Sequence, residues 1–492
     1  MAPLKASSAL LLSLIYNTVL GTPFPASSTS SSSSLQACAN RLDGQLPSPT
    51  PLGYKFSGNV RRYYVAAEEE EWDYAPTGWD NWLGVPFDIS PRADFSGYNE
   101  YGTKWLKALY RGYTDSTFSQ RSEQPAFQGT QGPTIRSEVG DLVEIMFVNN
   151  LSENYATMHS MGLAYNKAHG EGADYPNNTS PGVNVVLDES NAVPPVPQHG
   201  VEPGGCVVYK WMVPENAGPP NNEPARVHSY HSYVALQQDS DAGLIGPQIV
   251  YAKGQMNHTM ENYREFPLLY MIYNEADSWL SGKNKAQLTG SDKSNTKRQA
   301  SNNRGWHASN GMGNHGEGNN NNGNNNDGNN NNDGNNISGG AGSTNASGVG
   351  SFDISNTNNL WSGNYTVWHP QLVNLAGSGQ WSAAPSFYTM NGYVFSNNPP
   401  FDMCVGDNVI WYVNAYGAAS HVFHMHGHGV TYQGFDRYAV SLNDGVGKTL
   451  YMTAAEPGLW QVICHVDNHQ TMGMLANYNV RPEGQCSSPL GS

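Results

Sequence analysis

The sequence CHVDNHQTMGM, at residues 464–474, places a cysteine, a histidine and a methionine at intervals of five residues. A second histidine group, HVFHMHGH, lies upstream at residues 421–428. Two histidines, one cysteine thiolate and one weakly bound methionine are the ligands of a blue (type 1) copper centre. We therefore predict that one copper ion is bound by His421, Cys464, His469 and Met474.

Two other interpretations of this pattern stay open. The cysteine and the histidines could be unrelated core residues, and a methionine at such a position commonly serves only for packing. Zinc also binds histidine and cysteine, although a methionine in fourth place argues against zinc. Soft sulfur ligands suit Cu(I), imidazole suits both oxidation states, and a weak axial methionine leaves the geometry nearly unchanged between them, which indicates a site for electron transfer.

The chain has five cysteines, so at least one of them lies outside any disulfide. We assign Cys464 as that free thiol because of its neighbours. We pair Cys404 with Cys486, which would close one domain end to end and contribute on the order of 4 kcal/mol in the chain-entropy model. Cys38 and Cys206 form a further candidate pair.

The composition of the 492-residue chain favours strands joined by turns over helical bundles. Aromatic residues make up 11% and charged residues 13% of the chain, with 53 Gly and 30 Pro. We therefore predict an all-β fold. The formal net charge of -16 disfavours binding to nucleic acid.

Residues 1–21 read as a secretory signal peptide, because Lys5 precedes an apolar stretch that ends near Leu20. No later stretch approaches the roughly 20 apolar residues that a membrane span needs. We therefore predict a secreted, extracellular glycoprotein without a membrane span. Sequons that agree with this route lie at Asn150, Asn177, Asn178, Asn257, Asn336, Asn345 and Asn364.

Low-complexity segments set the domain boundaries. Residues 22–55 form a Ser/Thr/Pro-rich leader, and strand-like runs separated by turns follow it. We place the first domain at residues 56–255 and the second at 256–485, with a polar insert at 282–359. The core of the insert, Gly318–Asn336, contains only Asn, Gly and Asp, so it has no apolar surface to bury and is predicted to be disordered.

Several motifs resemble the ceruloplasmin and hephaestin family of multicopper oxidases, and the A domains of coagulation factors V and VIII. They cover nearly the whole chain outside the leader and the insert. Besides the two histidine groups, they are EEEWDYAP at 69–76, IRSEVGD at 135–141, YHSYV at 230–234, GLIGP at 243–247, MNGYVF at 390–395 and DMCVGD at 402–407. The resemblance implies two cupredoxin domains, each a Greek-key β-barrel, with copper as the cofactor.

In this family an electron passes from a substrate at the type 1 copper to a trinuclear copper cluster that reduces dioxygen. By resemblance, the cluster positions that are kept here are His159, His231, His424, His426 and His465. Three of the eight expected histidines are replaced, by Met161, Tyr233 and Ile463. The resemblance makes Cys464 and His465 the candidate catalytic residues, because a histidine of the cluster follows the type 1 cysteine directly.

We therefore predict a copper oxidoreductase, ferroxidase-like by resemblance, that passes electrons from a small reductant or metal ion to a degenerate site between the domains. Dioxygen is the candidate electron acceptor. The alternative is a noncatalytic copper-binding or extracellular-matrix protein that has lost the oxygen-reducing cluster. Iron as a substrate is inferred from the family alone, because Ala383, Tyr388 and Asn468 stand where ferroxidases carry iron-binding side chains. Two-domain relatives form trimers in which unlike domains of neighbouring subunits meet, so the resemblance also implies a homotrimer.

Overall fold

A computed structural model describes residues 32–166, 169–170, 200–220, 222–290, 350–353, 364–367 and 381–486. The predicted signal peptide, the Asn/Gly tract of the insert and the sequons at Asn177, Asn178, Asn336 and Asn345 lie outside these residues. Strands dominate the described part of the chain, which confirms the predicted all-β class.

Two groups of strands make up the molecule, and we name them by their strands. The first unit consists of β1 (Val60–Asp73), β4 (Lys104–Tyr113), β5 (Ile135–Glu138), β6 (Leu142–Asn149), β7 (His159–Ser160), β8 (Cys206–Met212), β9 (Ala225–His231) and β10 (Ile245–Tyr251). The second unit consists of β11 (Tyr263–Asn274), β14 (Ser386–Met390), β15 (Phe401–Cys404), β16 (Asn408–Tyr416), β17 (His421–Met425), β18 (Val430–Tyr432), β19 (Phe435–Arg437), β20 (Ala439–Leu442), β21 (Val446–Thr453), β22 (Gly458–Cys464) and β23 (Leu475–Arg481). Two small ladders stand apart, β2 (Trp79–Asp80) with β3 (Val85–Pro86), and β12 (Gly350–Asp353) with β13 (Asn364–Val367).

The helices are short and lie in connections between strands. They are α1 (Ser32–Ala39), α2 (Pro91–Phe95), α3 (Tyr98–Tyr101), α4 (Leu236–Ala242), α5 (Met256–Asn262), α6 (Ser281–Thr289) and α7 (Asp467–Thr471). None of the helices that the structure describes has both the length and the apolar character that a bilayer span requires.

Two four-stranded sheets form the first unit, with the strand orders β4-β1-β6-β8 and β5-β10-β9-β7. β1 runs antiparallel to β4 and parallel to β6, and β10 runs parallel to β5. Every residue of β6 is buried, so this strand shows a nearly continuous apolar run instead of alternation. Its buried Glu144 is paired with Arg62 at 3.0 Å and Lys210 at 3.5 Å, which offsets the cost of burying a charge.

The second unit repeats this pairing. Its sheets have the orders β14-β11-β16-β21-β18-β19 and β15-β23-β22-β17-β20. β11 runs antiparallel to β14 and parallel to β16, as β1 does with β4 and β6, and β15 runs parallel to β23, as β5 does to β10. The core between the sheets includes Phe266, Trp411 and Phe423.

The repeat extends to individual residue pairs. His159 on β7 lies opposite His231 on β9, and His424 on β17 lies opposite Ile463 on β22. Because β7 and β17 hold matching places in their sheets, Ile463 occupies in the second unit the place that His231 occupies in the first.

The two units share an aromatic core. The ring of Tyr74 stacks on that of Phe387 with centroids 4.0 Å apart, and the ring of Trp105 lies 5.8 Å from Phe387. All three side chains are completely buried. Burial of large aromatic surfaces is among the strongest contributions to an interface, so this contact fixes one unit against the other.

The cysteines form the predicted disulfides. Cys404, the last residue of β15, is bonded to Cys486 beyond the end of β23. Cys38 on α1 is bonded to Cys206 at the start of β8, which ties the middle of the predicted leader to the first unit. Cys464 is the free cysteine, and it is buried.

The helix α6 covers residues that the sequence analysis assigned to the polar insert. Its Asn284 is buried, accepts a hydrogen bond from the backbone N–H of Leu106 at 2.8 Å and donates one to the carbonyl of the same residue at 3.1 Å. Leu106 lies on β4, the edge strand of its sheet. The polar composition of this segment did not indicate that it would pack against a sheet. The amide of Asn284 satisfies the backbone groups of an edge-strand residue that would otherwise need a neighbouring strand.

His228 on β9 gives a prediction about acid stability. Its ring packs against Gly162, its Nε2 lies 2.8 Å from the carbonyl of Ala217, and burial lowers its pKa to about 4. The unfolded chain, with a histidine pKa of about 6.5, takes up the proton first as the pH falls. Stability should therefore be lost between about pH 6.5 and pH 4, by on the order of 2 kcal/mol.

We expect His228→Gln to reduce this loss in urea denaturation curves recorded between pH 7 and pH 4. The control is His258→Gln, at an exposed position on α5. An unchanged pH dependence in the His228 variant would contradict the prediction.

Candidate metal centre

The residues of the predicted copper site lie on two neighbouring strands and one loop of the second unit. β17 begins at His421, and β22 ends at Cys464. The chain then passes through α7, which carries His469, and Met474 directly precedes β23. β22 and β23 are antiparallel partners, so three of the four side chains lie on one loop that this strand pair closes. We call residues 464–474 the ligand loop.

The four side chains converge. Sγ of Cys464 lies 3.8 Å from Nδ1 of His421 and 3.6 Å from Nδ1 of His469. Nδ1 of His421 lies 3.2 Å from Sδ of Met474. All four side chains are buried. The structure therefore brings together two imidazole nitrogens, a thiol and a thioether.

Hydrogen bonds orient these donors. Nε2 of His421 lies 3.3 Å from the carbonyl oxygen of Tyr416, which can only accept, so Nε2 carries the proton and Nδ1 presents its lone pair to the cluster. The backbone N–H of Cys464 donates to the carbonyl of Met474 at 3.0 Å. The backbone N–H of Met474 donates to the carbonyl of His469 at 2.9 Å. Such outer contacts fix the positions of metal-binding side chains.

Burial shifts the ionisation of the cluster. It lowers the pKa of His421 to about 4, with the neighbouring His469 adding to the effect, and it also lowers the pKa of His469. Burial raises the pKa of the Cys464 thiol. At neutral pH both imidazoles are thus uncharged donors, and a metal ion that binds here displaces the thiol proton.

This donor set fits copper. A thiolate and a thioether are soft ligands, imidazole binds both oxidation states of copper, and a thioether is not a usual zinc ligand. In the described part of the chain, one other group of potential metal ligands lies equally close together, Cys404, Asp407 and Cys486. Its two cysteines form a disulfide, so they offer no thiolate.

In the first unit, the structure brings together two of the predicted cluster histidines. The rings of His159 and His231 lie 5.1 Å apart, and the hydroxyl of Tyr165 lies 3.1 Å from Nδ1 of His159. Nδ1 of His231 lies 2.8 Å from the carbonyl of Ser232, which leaves the lone pair on Nε2. The ring of Tyr233 is 5.2 Å from that of His159, at a position where the family has a histidine.

In the second unit, the three remaining histidines lie at the surface. The ring of His424 is 5.5 Å from that of His426 and 5.4 Å from that of His465. His426 and His465 are exposed, and Nδ1 of His424 lies 2.7 Å from the carbonyl of Tyr438. The donor atoms of this trio do not approach one another as closely as those around Cys464 do.

Each of the two histidine groups is drawn from one unit, His159 and His231 from the first and His424, His426 and His465 from the second. Ile463, which faces His424 across the strands, offers no donor. Met161, at another replaced position, is 47% exposed. The predicted residues therefore form two incomplete clusters, one on each unit.

The positions that correspond to ferroxidase iron ligands also lack acids. Ala383 and Asn468 are exposed, and the ring of Tyr388 packs on the ring of His469 at 5.2 Å. Sequence reasoning missed two tyrosines at the site, Tyr416, which orients His421, and Tyr270, whose ring lies 5.8 Å from His421. Neither belongs to a spacing motif, so only their place in the fold reveals them.

The fold and the cluster define an all-β protein with a candidate copper centre buried in its second unit. Residues 357–484 match the model of the family described as Multicopper oxidase. This part of the chain is thus similar to multicopper oxidases, and the chain as a whole is similar to members of the ceruloplasmin and hephaestin group, as its motifs predict. Multicopper oxidases bind copper, which confirms the predicted cofactor at the level of the family.

Curated relatives match most of the chain. Ferroxidase HEPHL1 of Homo sapiens is 28% identical over 431 residues, which cover 86% of this chain and 29% of the relative. Ceruloplasmin of Homo sapiens is 26% identical, covering 86% and 32%. The non-catalytic subunit of venom prothrombin activator pseutarin-C from Pseudonaja textilis is 36% identical, covering 45% and 14%. The chain spans about three tenths of the length of the first two relatives.

Solved structures include more distant matches. The crystal structure of Blue Copper Oxidase from Nitrosomonas europaea is 15% identical, with a TM-score of 0.44, and the match covers 86% of both chains.

Proposed function

We propose that the chain is a secreted copper oxidoreductase in which His421, Cys464, His469 and Met474 hold a type 1 copper. The observation that supports this most strongly is the convergence of the other three donors on a buried thiol outside any disulfide. Relatives named as ferroxidases favour an oxidising reaction on a small substrate. In this proposal the electron donor is a small reductant or a metal ion.

A copper ion held by these four residues would supply single-electron chemistry. The side chains around it provide the conditions for that exchange. The Tyr416 carbonyl orients His421, and Phe423 and Tyr270 help to exclude water from the site. A preorganised, dry site has little to rearrange when its charge changes, which favours fast electron exchange.

A second, degenerate copper site is the candidate electron acceptor. His465 directly follows Cys464, so two consecutive residues connect the buried thiol with the exposed trio of His424, His426 and His465. His159 and His231 supply two further imidazoles from the first unit. With three of the family's eight positions replaced, this site would hold fewer metal ions than a full cluster.

A site that uses both histidine groups could draw them from two copies of the chain, as in the two-domain relatives that the sequence resembles. The proposed arrangement is a homotrimer in which the first unit of one subunit meets the second unit of the next. The comparisons give this assembly no support, and it stays a prediction. Sedimentation of the copper-loaded protein as a monomer alone would exclude it.

Copper stoichiometry tests the proposed function. We expect the copper-loaded protein to show an intense blue thiolate-to-copper absorption band, one type 1 copper per chain, and fewer coppers in total than type 1 copper plus a full trinuclear cluster. Oxygen consumption with iron(II) or a phenol as donor would then establish turnover. A loaded protein without the blue band would contradict the proposal.

The three replaced histidines favour one alternative, a noncatalytic copper protein that serves in single-electron transfer or in an extracellular matrix. Ile463, Tyr233 and Met161 each remove an imidazole from the oxygen-reducing cluster. A blue band without any oxygen uptake would favour this alternative. Binding of calcium that is lost on deletion of residues 318–336 would favour a role in the matrix.

A further inference from the structure

A segment of the first unit packs on the ligand loop of the second. The segment contains α2 and α3, and two of its side chains contact backbone carbonyl groups of the ligand loop. Tyr98 on α3 lies beside Met472, and Arg92 on α2 lies beside Gln470 and Thr471. Neither residue belongs to a copper-binding motif, and both are buried.

Tyr98 connects two elements that flank the candidate copper site. Its hydroxyl lies 2.9 Å from the carbonyl of Met472 and 3.1 Å from that of Ser386, and it accepts the backbone N–H of Tyr388 at 3.0 Å. The side chain is 0% exposed, and its ring stacks on Phe387 with centroids 4.4 Å apart. Because the donor and acceptor capacity of this buried hydroxyl is used in these contacts, the Tyr98 side chain is held in one orientation.

Arg92 holds the end of the helix that carries His469. Its Nε donates to the carbonyl of Thr471 at 3.2 Å, and its Nη2 donates to the carbonyl of Gln470. The last carbonyls of a helix have no partner within it, so a basic side chain from elsewhere stabilises them. The guanidinium also lies 3.8 Å from the centre of the Trp82 ring, which keeps it in place.

These contacts act close to two of the proposed ligands. Met472 lies two residues before Met474, and the ring of Tyr388 packs on the ring of His469. Gly473, between the two methionines, has φ +109, and a Cβ at this position would lie 3.1 Å from the side chain of Val394. The loop therefore has little space to shift as long as its carbonyls stay bound.

We propose that Tyr98 and Arg92 are positioning residues for the copper centre, so that the first unit sets the geometry of the second unit's ligand loop. Tyr98 fixes Met472 and Tyr388, and through them the thioether and the outer face of the His469 ring. Arg92 fixes the end of α7, and through it the direction of the His469 side chain. This inference rests on the proposed function, since it concerns residues that would hold the metal.

The test of Tyr98 uses Tyr98→Phe, which removes only the hydroxyl. Tyr101→Phe is the control, because Tyr101 lies on the same helix and packs on Trp381 instead of the loop. In the copper-free protein, we expect amide exchange at Tyr388 and residues 470–474 to rise roughly three- to tenfold in the Tyr98 variant. In the loaded protein, we expect Cu(II) affinity to fall about tenfold and the blue band to shift.

Arg92→Lys and Arg92→Gln test the second residue and remain informative if Tyr98→Phe fails to fold. Lysine keeps the charge but can bond one carbonyl well, whereas glutamine has no charge. We expect the reduction potential and blue band to change most in the glutamine variant and to be partly restored in the lysine variant. A role limited to stability would lower the melting temperature and leave the reduction potential and the blue band as they are in the natural protein.

The outcomes separate this inference from the proposed function. If the natural protein shows the blue band and Tyr98→Phe leaves affinity, band and loop exchange unchanged, the positioning role is wrong and the copper site stands. If exchange rises but affinity and band do not change, the hydroxyl serves the fold alone, and the inference is also wrong. If the natural protein binds no copper, the proposed function fails, and the exchange data alone decide whether Tyr98 holds the loop.

Discussion

Cys464→Ser is expected to abolish the blue absorption band and to lower Cu(II) affinity more than about 100-fold. The thiol is fully buried and lies between two imidazole nitrogens at 3.6 and 3.8 Å. A serine hydroxyl in the same place stays protonated at neutral pH and is a hard donor, so it cannot replace a thiolate. The blue band itself arises from the thiolate-copper bond, and no other thiol is available in the chain.

Absorption spectra and a competitive copper titration measure this effect. Met425→Leu is a suitable control, because Met425 is a buried sulfur-containing residue on β17 that takes no part in the donor cluster. That substitution conserves volume, and it should leave band and affinity in place. A Cys464→Ser protein that still turns blue with copper would show that the proposed centre is wrong.

Lys107→Met is expected to destabilise the fold by about 3 to 5 kcal/mol. Lys107 on β4 has a completely buried side chain, and its Nζ donates to Glu275 at 2.7 Å and to the carbonyl of Asp241 at 2.5 Å. Glu275 follows β11, so this ion pair joins the two units. Removal of the lysine leaves the fully buried carboxyl group of Glu275 without its cation, and burial already raises the pKa of this group.

Chemical denaturation at neutral pH measures the loss. Lys104→Met is the matched control, because Lys104 lies on the same strand and forms an exposed pair with Glu71 at 3.8 Å. Its loss should cost less than about 1 kcal/mol. Combining Lys107→Met with Glu275→Gln should recover part of the stability, since the neutral amide can still accept the hydrogen bond from Tyr74. Equal losses in the two lysine variants would contradict this account.

The candidate copper site could be predicted because its signals are local. Cys464, His469 and Met474 lie within eleven residues, and the odd number of cysteines already sets one thiol apart. His421 comes from a separate strand, yet the dense histidine run around it draws attention to the position. The all-β class follows from turn-forming and aromatic residues, whose preferences act within a few positions along the chain.

The contacts between the units could not be predicted in this way. Lys107 and Glu275 are 168 positions apart, and Tyr98 and Met472 are separated by 374. No spacing rule relates such residues, because their contact depends on how the two units pack against each other. Asn284 on α6 is a similar case. Its polar sequence surroundings do not indicate that its side chain is buried against the edge strand β4.

The matched strand pairs of the two units allow the position of the thiol to be compared with the equivalent position in the other unit. Ser232 follows His231 in the first unit as Cys464 follows Ile463 in the second. The Ser232 hydroxyl is buried, donates to Asp239 at 2.7 Å and accepts the backbone N–H of Thr157 at 3.2 Å. The same architecture therefore exists in a hydroxyl version and a sulfhydryl version within one polypeptide. At this position of the fold, a hydroxyl that only holds neighbouring groups in the first unit corresponds to the thiol that is the proposed copper ligand in the second.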